Sequence, residues 1–113
     1  MTNMQKDIAD GTLVVRTAKV GEAHTIALCG ELDLANASTA EAALGELLEE
    51  GAPVIVDMRE LEFIDSTGIA LLVAALGRDG EEPRVRFIPS TAPAVTRVLE
   101  LTGLAERLPL ANA

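Results

Sequence analysis

Tryptophan and tyrosine are absent, and only two phenylalanines occur in 113 residues. A core built from this chain is therefore aliphatic, made of Leu, Val, Ile and Ala. Basic residues are scarce: nine Lys and Arg stand against eighteen Asp and Glu, a formal net charge of −9. That balance argues against a nucleic-acid partner, because phosphate binding needs a basic face. There is one cysteine, Cys29, which excludes an internal disulfide and suits a reducing compartment. No basic-then-apolar leader opens the chain. The longest apolar run is the eight residues 69–76, well short of the roughly 18 needed to cross a bilayer. A cytoplasmic protein without membrane insertion is expected. Internal repeats and low-complexity tracts are also lacking. The length fits one domain that buries about two-thirds of its unfolded surface.

What is present alternates between strand and helix patterns. Residues 1–11 read as a polar lead-in ending at Gly11. Residues 12–20 read as a strand, and Arg16 and Lys19 suggest that it lies at a sheet edge. A short turn at 21–23 leads to a second strand over 24–29, so these two form a hairpin. Gly30 lets the chain bend out of that strand. Ser38-Thr39-Ala40-Glu41 matches a capping box, with Asp33 or Asn36 as earlier caps. The helix that follows has Leu44, Leu47 and Leu48 on its inner stripe and ends at Gly51. Glu49 and Glu50 lie at the negative end of its dipole, an unfavourable placement with no visible compensation.

The apolar run 53–58 suits a strand of a parallel sheet covered by helices. A loop over 59–65 leads to a helix at about 66–76, and 77–83 is rich in turn residues. Residues 84–88 form another strand. Pro93 sits in the first turn of a last helix, whose stripe is Val95, Val98, Leu99 and Thr102 and whose stop is Gly103. Leu104, Leu108 and Leu110 suggest a tail that packs back. The predicted order is ββαβαβα plus the tail. It describes a single α/β domain with a mixed, mostly parallel sheet of four or five strands and flanking helices. Its ligand edge is at the carboxyl ends of the strands, where Asp33, Asp57 and the tip 65–68 converge.

The tip Asp65-Ser66-Thr67-Gly68 separates the segment Phe63-Ile64 from the apolar run. An acid and two hydroxyls at a helix start are ordinary caps, each worth about 1 kcal/mol. Gly68 weakens a first turn by up to about 1 kcal/mol relative to Ala, which suggests close approach to the backbone there. Ser66 as a nucleophile needs a base. The single histidine, His24, falls at the other end of the sheet, and no G-x-S-x-G elbow is present. Ser66 as a phosphoryl acceptor needs only exposure and a fixed position, because a kinase supplies base and magnesium. Asp33, Asp57 and Asp65 offer oxygen ligands for a hard cation, without any metal-loop spacing. The helix after the tip is apolar on every side, either because neighbouring helices bury it or because part of it docks a partner.

Gly30-Glu31-Leu32-Asp33, Asp57 and Phe63-Ile64-Asp65-Ser66-Thr67-Gly68, in this order and spacing, resemble the STAS domain. Within it they are most similar to the bacterial anti-sigma factor antagonists. The resemblance covers 12–108, flanked by a lead-in at 1–11 and a tail at 109–113. It implies a regulatory protein, not an enzyme, with no catalytic residue, cofactor or metal. Ser66 matches a serine phosphorylated by a partner that is both serine kinase and anti-sigma factor, with Thr67 as second choice. Unphosphorylated, such a protein binds that partner and frees a sigma factor; a serine/threonine phosphatase reverses the modification. The partner surface implied is Asp33, Asp65, Ser66, Thr67, Gly68, Ile69 and Leu72. The alternative is a STAS module used without phosphorylation, as a binding or scaffold subunit of a lipid-transport or stress-signalling complex.

Overall fold

The computed structural model describes residues 5–76 and 84–111. Strands β1 (Gln5–Asp10), β2 (Leu13–Val20) and β3 (Ala23–Leu32) form an antiparallel meander. Helix α1 (Ala37–Glu49) then leads to β4 (Val54–Asp57) and β5 (Leu61–Ile64). Helix α2 (Ser66–Leu76), β6 (Val85–Ile88), α3 (Pro93–Leu101) and a 3-10 turn at Leu104–Glu106 complete the chain. The sheet order is β1-β2-β3-β4-β6, with β5 also paired to β3. The turn-rich segment 77–83 lies outside the described residues.

The sheet has six strands where four or five are expected, and both additions were hidden by composition. β1 falls in the stretch read as a lead-in, because its sequence QKDIAD places only Ile8 against the core. Its presence also overturns the edge position of β2. Arg16 instead meets Asp7 of β1 at 3.1 Å on the open side of the sheet. β5 lies within the stretch read as a loop. Only four residues long, it buries Leu61 and Ile64 and exposes the two residues between them.

β3 organises the sheet. Its first half, His24–Ala27, runs parallel to β4, and its last residues, Gly30–Leu32, run parallel to β5. The register shifts between Gly30 and Glu31. Gly30, with φ +101°, remains inside the strand as this bulge instead of ending it. β2 and β3 alternate between core and open face. Leu13, Val15, Ile26 and Leu28 are buried with Val54, Val56 and Phe87, while Val14, Cys29 and Ala27 are half-buried opposite. Partial burial pushes the Cys29 thiol up.

α1 covers the core face with Ala37, Ala40, Ala43, Leu44, Leu47 and Leu48. The capping box at Ser38 does not form, and the helix starts instead at one of the earlier alternatives, Asn36. Asn36 is the N-cap residue, and Ser38 is exposed within the first turn. The buried Asn36 amide closes the preceding loop instead: its Nδ2 donates to Glu31 O at 2.9 Å, and its Oδ1 accepts from Asp33 N. Glu50, unfavourable by dipole, finds compensation from across the fold. Its carboxylate lies 3.3 Å from Lys19 Nζ and 3.7 Å from His24 Nε2. α3 starts at Pro93 and ends before Gly103 at φ +78°. Leu104 and Leu108 are buried as the tail folds back, while Leu110 stays largely exposed beside Phe87. Among the described residues no helix is long and apolar enough to cross a membrane.

Candidate functional site

Two short connections meet at the carboxyl ends of β3 and β5: residues 33–36 before α1, and Asp65 before α2. Asp33 folds the first of them, its Oδ1 accepting from Ala35 N at 3.0 Å. Asp65 joins the two. Its Oδ1 accepts from Thr67 N at 2.9 Å and Gly68 N at 3.0 Å, and its Oδ2 accepts from Leu34 N at 3.1 Å. Its own N–H donates to Leu32 O. Two of the amides at the start of α2 that a helix leaves unpaired, Thr67 N and Gly68 N, are thus already held by an acid of the chain. Replacing Asp65 by alanine removes three hydrogen bonds at once. We expect a loss of about 2 kcal/mol, at the upper end for a helix cap, read as a lower urea midpoint. An unchanged midpoint would show that the clasp contributes nothing.

Ser66 is the first residue of α2 and is exposed. Its hydroxyl makes no hydrogen bond among the described residues, so it projects from a fixed backbone with nothing to release. Thr67 is half-buried and turns into a shallow groove between α1 and α2. The groove, of about 460 Å³, is lined by Leu34, Ala37, Ser38, Thr67, Ala70 and Ala74 among others. Leu34, at its rim, is 77% exposed. The one signal for Leu34 in the sequence is a large apolar residue in the short connection Asp33-Leu34-Ala35-Asn36.

Several expected site residues take other roles. Gly68 is buried, and the close approach to it is internal. A Cβ there would lie 2.6 Å from Ile64 Cγ1 and 3.0 Å from Leu32 Cδ2. Leu72, expected on the partner surface, points into the core at 1% exposure, and Ile69 packs partly against the core. α2 is apolar all round because Leu71, Leu72 and Ala75 are buried, while Ala70, Val73 and Ala74 remain exposed. Asp57 lies apart from the two connections, on the open face. The Arg59 side chain grips it with Nε and Nη2 at 3.0 and 2.8 Å, and Arg59 N also donates to it. This grip holds the Asp57 carboxyl below its ordinary range against the opposing effect of burial. Asp33, Asp57 and Asp65 accordingly form no cluster able to hold a cation. His24 is buried at the start of β3, at the end of the sheet away from Ser66.

The βα connection thus presents an exposed serine next to the groove between α1 and α2, and comparison places the chain in a family. The family model described as "Mlab, STAS domain" matches residues 15–110. The chain belongs to the STAS domain family. It is 29% identical over 98 residues to the anti-sigma-F factor antagonist RsfB of Mycobacterium tuberculosis, covering 85% of this chain and 79% of that protein. The crystal structure of an anti-sigma factor antagonist from Mycobacterium paratuberculosis superposes with a TM-score of 0.81 at 25% identity, covering 93% of this chain and 90% of the other. The antagonist SpoIIAA in its unphosphorylated form shares the fold, with a TM-score of 0.66 at 24% identity and coverage of 87% and 88%.

Proposed function

We propose that the protein is an anti-sigma factor antagonist switched at Ser66. Unphosphorylated, it binds an anti-sigma factor that is also a serine kinase, and so frees a sigma factor. The kinase transfers the γ-phosphoryl of ATP to Ser66 Oγ; the hydroxyl proton passes to the kinase's base and ADP leaves. A serine/threonine phosphatase hydrolyses the ester and restores binding. The observation that carries this reading is the Ser66 hydroxyl, which is exposed, without a hydrogen-bond partner among the described residues, and fixed by the Asp65 clasp. The groove beside it, with Leu34 at its rim, offers an apolar seat for the partner next to the modified atom. The names of the similar proteins support the antagonist role.

Labelling with the cognate kinase and ATP tests it. One phosphate should enter at Ser66, with none in Ser66→Ala and full uptake in Thr67→Ala. Full labelling of Ser66→Ala would move the site. A wild-type protein that binds its partner yet takes up no phosphate would favour the scaffold reading.

A further inference from the structure

We propose that two copies of this chain pair along the outer edge of β1, antiparallel, about a two-fold axis at Ile8. The strand path ends at β1 and β6, and β5, four residues long, pairs on one side only, with β3, its Leu61 carbonyl accepting from Ser90 Oγ. The outer edge of β6 is taken: Phe87 N donates to Pro109 O at 2.8 Å, and Ala111 N donates to Phe87 O at 2.9 Å. The outer edge of β1 has no partner among the described residues. β1 contains no proline, glycine or bulge, and it keeps an unbroken register with β2 over all six residues. Such an edge is a template for another strand, and its charges, Lys6, Asp7 and Asp10, restrict it to a register that pairs opposite charges.

The register follows from the turns and the charges. Residues 11 and 12 alone join Asp10 to its partner Leu13. A two-residue turn closes on a hydrogen-bonded pair. Lys6, Ile8 and Asp10 thus direct their backbone groups toward β2, and Gln5, Asp7 and Ala9 direct theirs outward. Outward residues must face outward residues in the second copy. Setting Ile8 opposite Ile8 satisfies that rule and places Lys6 opposite Asp10 of the second copy, twice. A shift that sets Asp7 against Asp7 opposes like charges. The shift that sets Ala9 against Ala9 places Ile8 opposite Asp10. Charge complementarity selects the first arrangement. Thr39 Oγ1 donates to Asp10 Oδ2 at 2.6 Å and holds that carboxylate on the helix-facing side, the side Lys6 shares. The strands run in opposite directions, so the two Ser66 loops point to opposite ends of the joined sheet.

The contact is one strand wide, smaller than a standard interface, so the dimer is weak and forms at high concentration. Sedimentation equilibrium of the full chain should show a monomer–dimer equilibrium. Lys6→Glu should raise its dissociation constant at least tenfold, about 1.4 kcal/mol. Ala9→Pro removes an outward N–H and should leave a monomer; Lys6→Glu serves as the independent reading if that proline perturbs folding. In a Cys29→Ser background, Ile8→Cys should oxidise to a covalent dimer much faster than Ala9→Cys, because Ile8 sits at a close, non-hydrogen-bonded pair. A chain that stays monomeric at high concentration, with both cysteines cross-linking equally slowly, overturns the proposal. So does a dimer that Lys6→Glu leaves unchanged, or a β1 edge that pairs only with a strand of a different protein. Ser66→Asp should not alter the equilibrium, so this result stands or falls separately from the switch.

Discussion

Replacing Ser66 by aspartate is expected to weaken binding of the anti-sigma kinase about a hundredfold while the fold stays intact. That factor corresponds to about 2.7 kcal/mol. The fold tolerates the change because Ser66 is exposed and its hydroxyl bonds nothing among the described residues. An acid in the first turn of a helix is also mildly favourable. The new charge nevertheless finds two of the first-turn amides taken, since Asp65 Oδ1 already accepts from Thr67 N and Gly68 N. It stands beside Asp65, close to the Asp33 connection, on a chain of net charge −9. A partner seated on the groove must desolvate that charge or set its own groups against it, which raises the dissociation rate. A phosphate, carrying about −1.5 to −2 charges, acts in the same direction and more strongly. Calorimetric titration against the kinase measures the effect, with equal unfolding midpoints as the check on fold. Ser66→Asn separates charge from bulk and should bind within a few-fold of wild type. If aspartate binds as serine does, the switch is not electrostatic.

The start of α2 is legible in the sequence because an acid, two hydroxyls and a glycine meet an unbroken apolar run; the helix begins at Ser66. The same holds for α3, with Pro93 at its start and Gly103 after its end. Strands were harder where burial is one-sided. β1 shows one apolar residue to the core, and a polar strand at a sheet edge has the composition of a loop. β5 is too short for period-two alternation to register. The Asp33 and Asp65 neighbourhoods could be placed at one edge from strand order alone. That Asp65 bonds Leu34 N across 31 residues is a tertiary fact with no local signal. Gly68 was legible as a glycine that something approaches. What approaches is the chain's own Leu32 and Ile64, and a pattern along one segment does not distinguish a ligand from a neighbouring strand. Glu50 makes the same point: a local rule marks it as unfavourable, and Lys19 from the hairpin, 3.3 Å away, offsets part of that.

Gly30→Ala should be the most damaging glycine-to-alanine change among the described residues, costing on the order of 3–5 kcal/mol out of a typical 5–15. Two effects combine. At φ +101° an L side chain is strained, which costs about 1–3 kcal/mol. The added Cβ would also lie 2.0 Å from Thr12 O and 3.2 Å from Thr12 C. Those are backbone atoms that no rotamer change can move, and overpacking of that kind adds about 1–3 kcal/mol. Thr12 O has a second commitment, since it accepts from Glu31 N at 3.2 Å. Gly30 N in turn donates to Glu60 O at 3.0 Å, at the entry to β5. The bulge is therefore the point where β3 passes from the hairpin to β5, and a shift there propagates to Leu32, which packs under Gly68 and accepts from Asp65 N. Gly45→Ala is the control. It lies inside α1, and a Cβ there meets nothing within 4 Å, so helix propensity should raise stability by about 1 kcal/mol. Urea unfolding of the two variants should give changes of opposite sign. A Gly30→Ala midpoint near that of wild type would mean that β3 can pass to β5 without the bulge, and that the placement of the Ser66 loop does not depend on it.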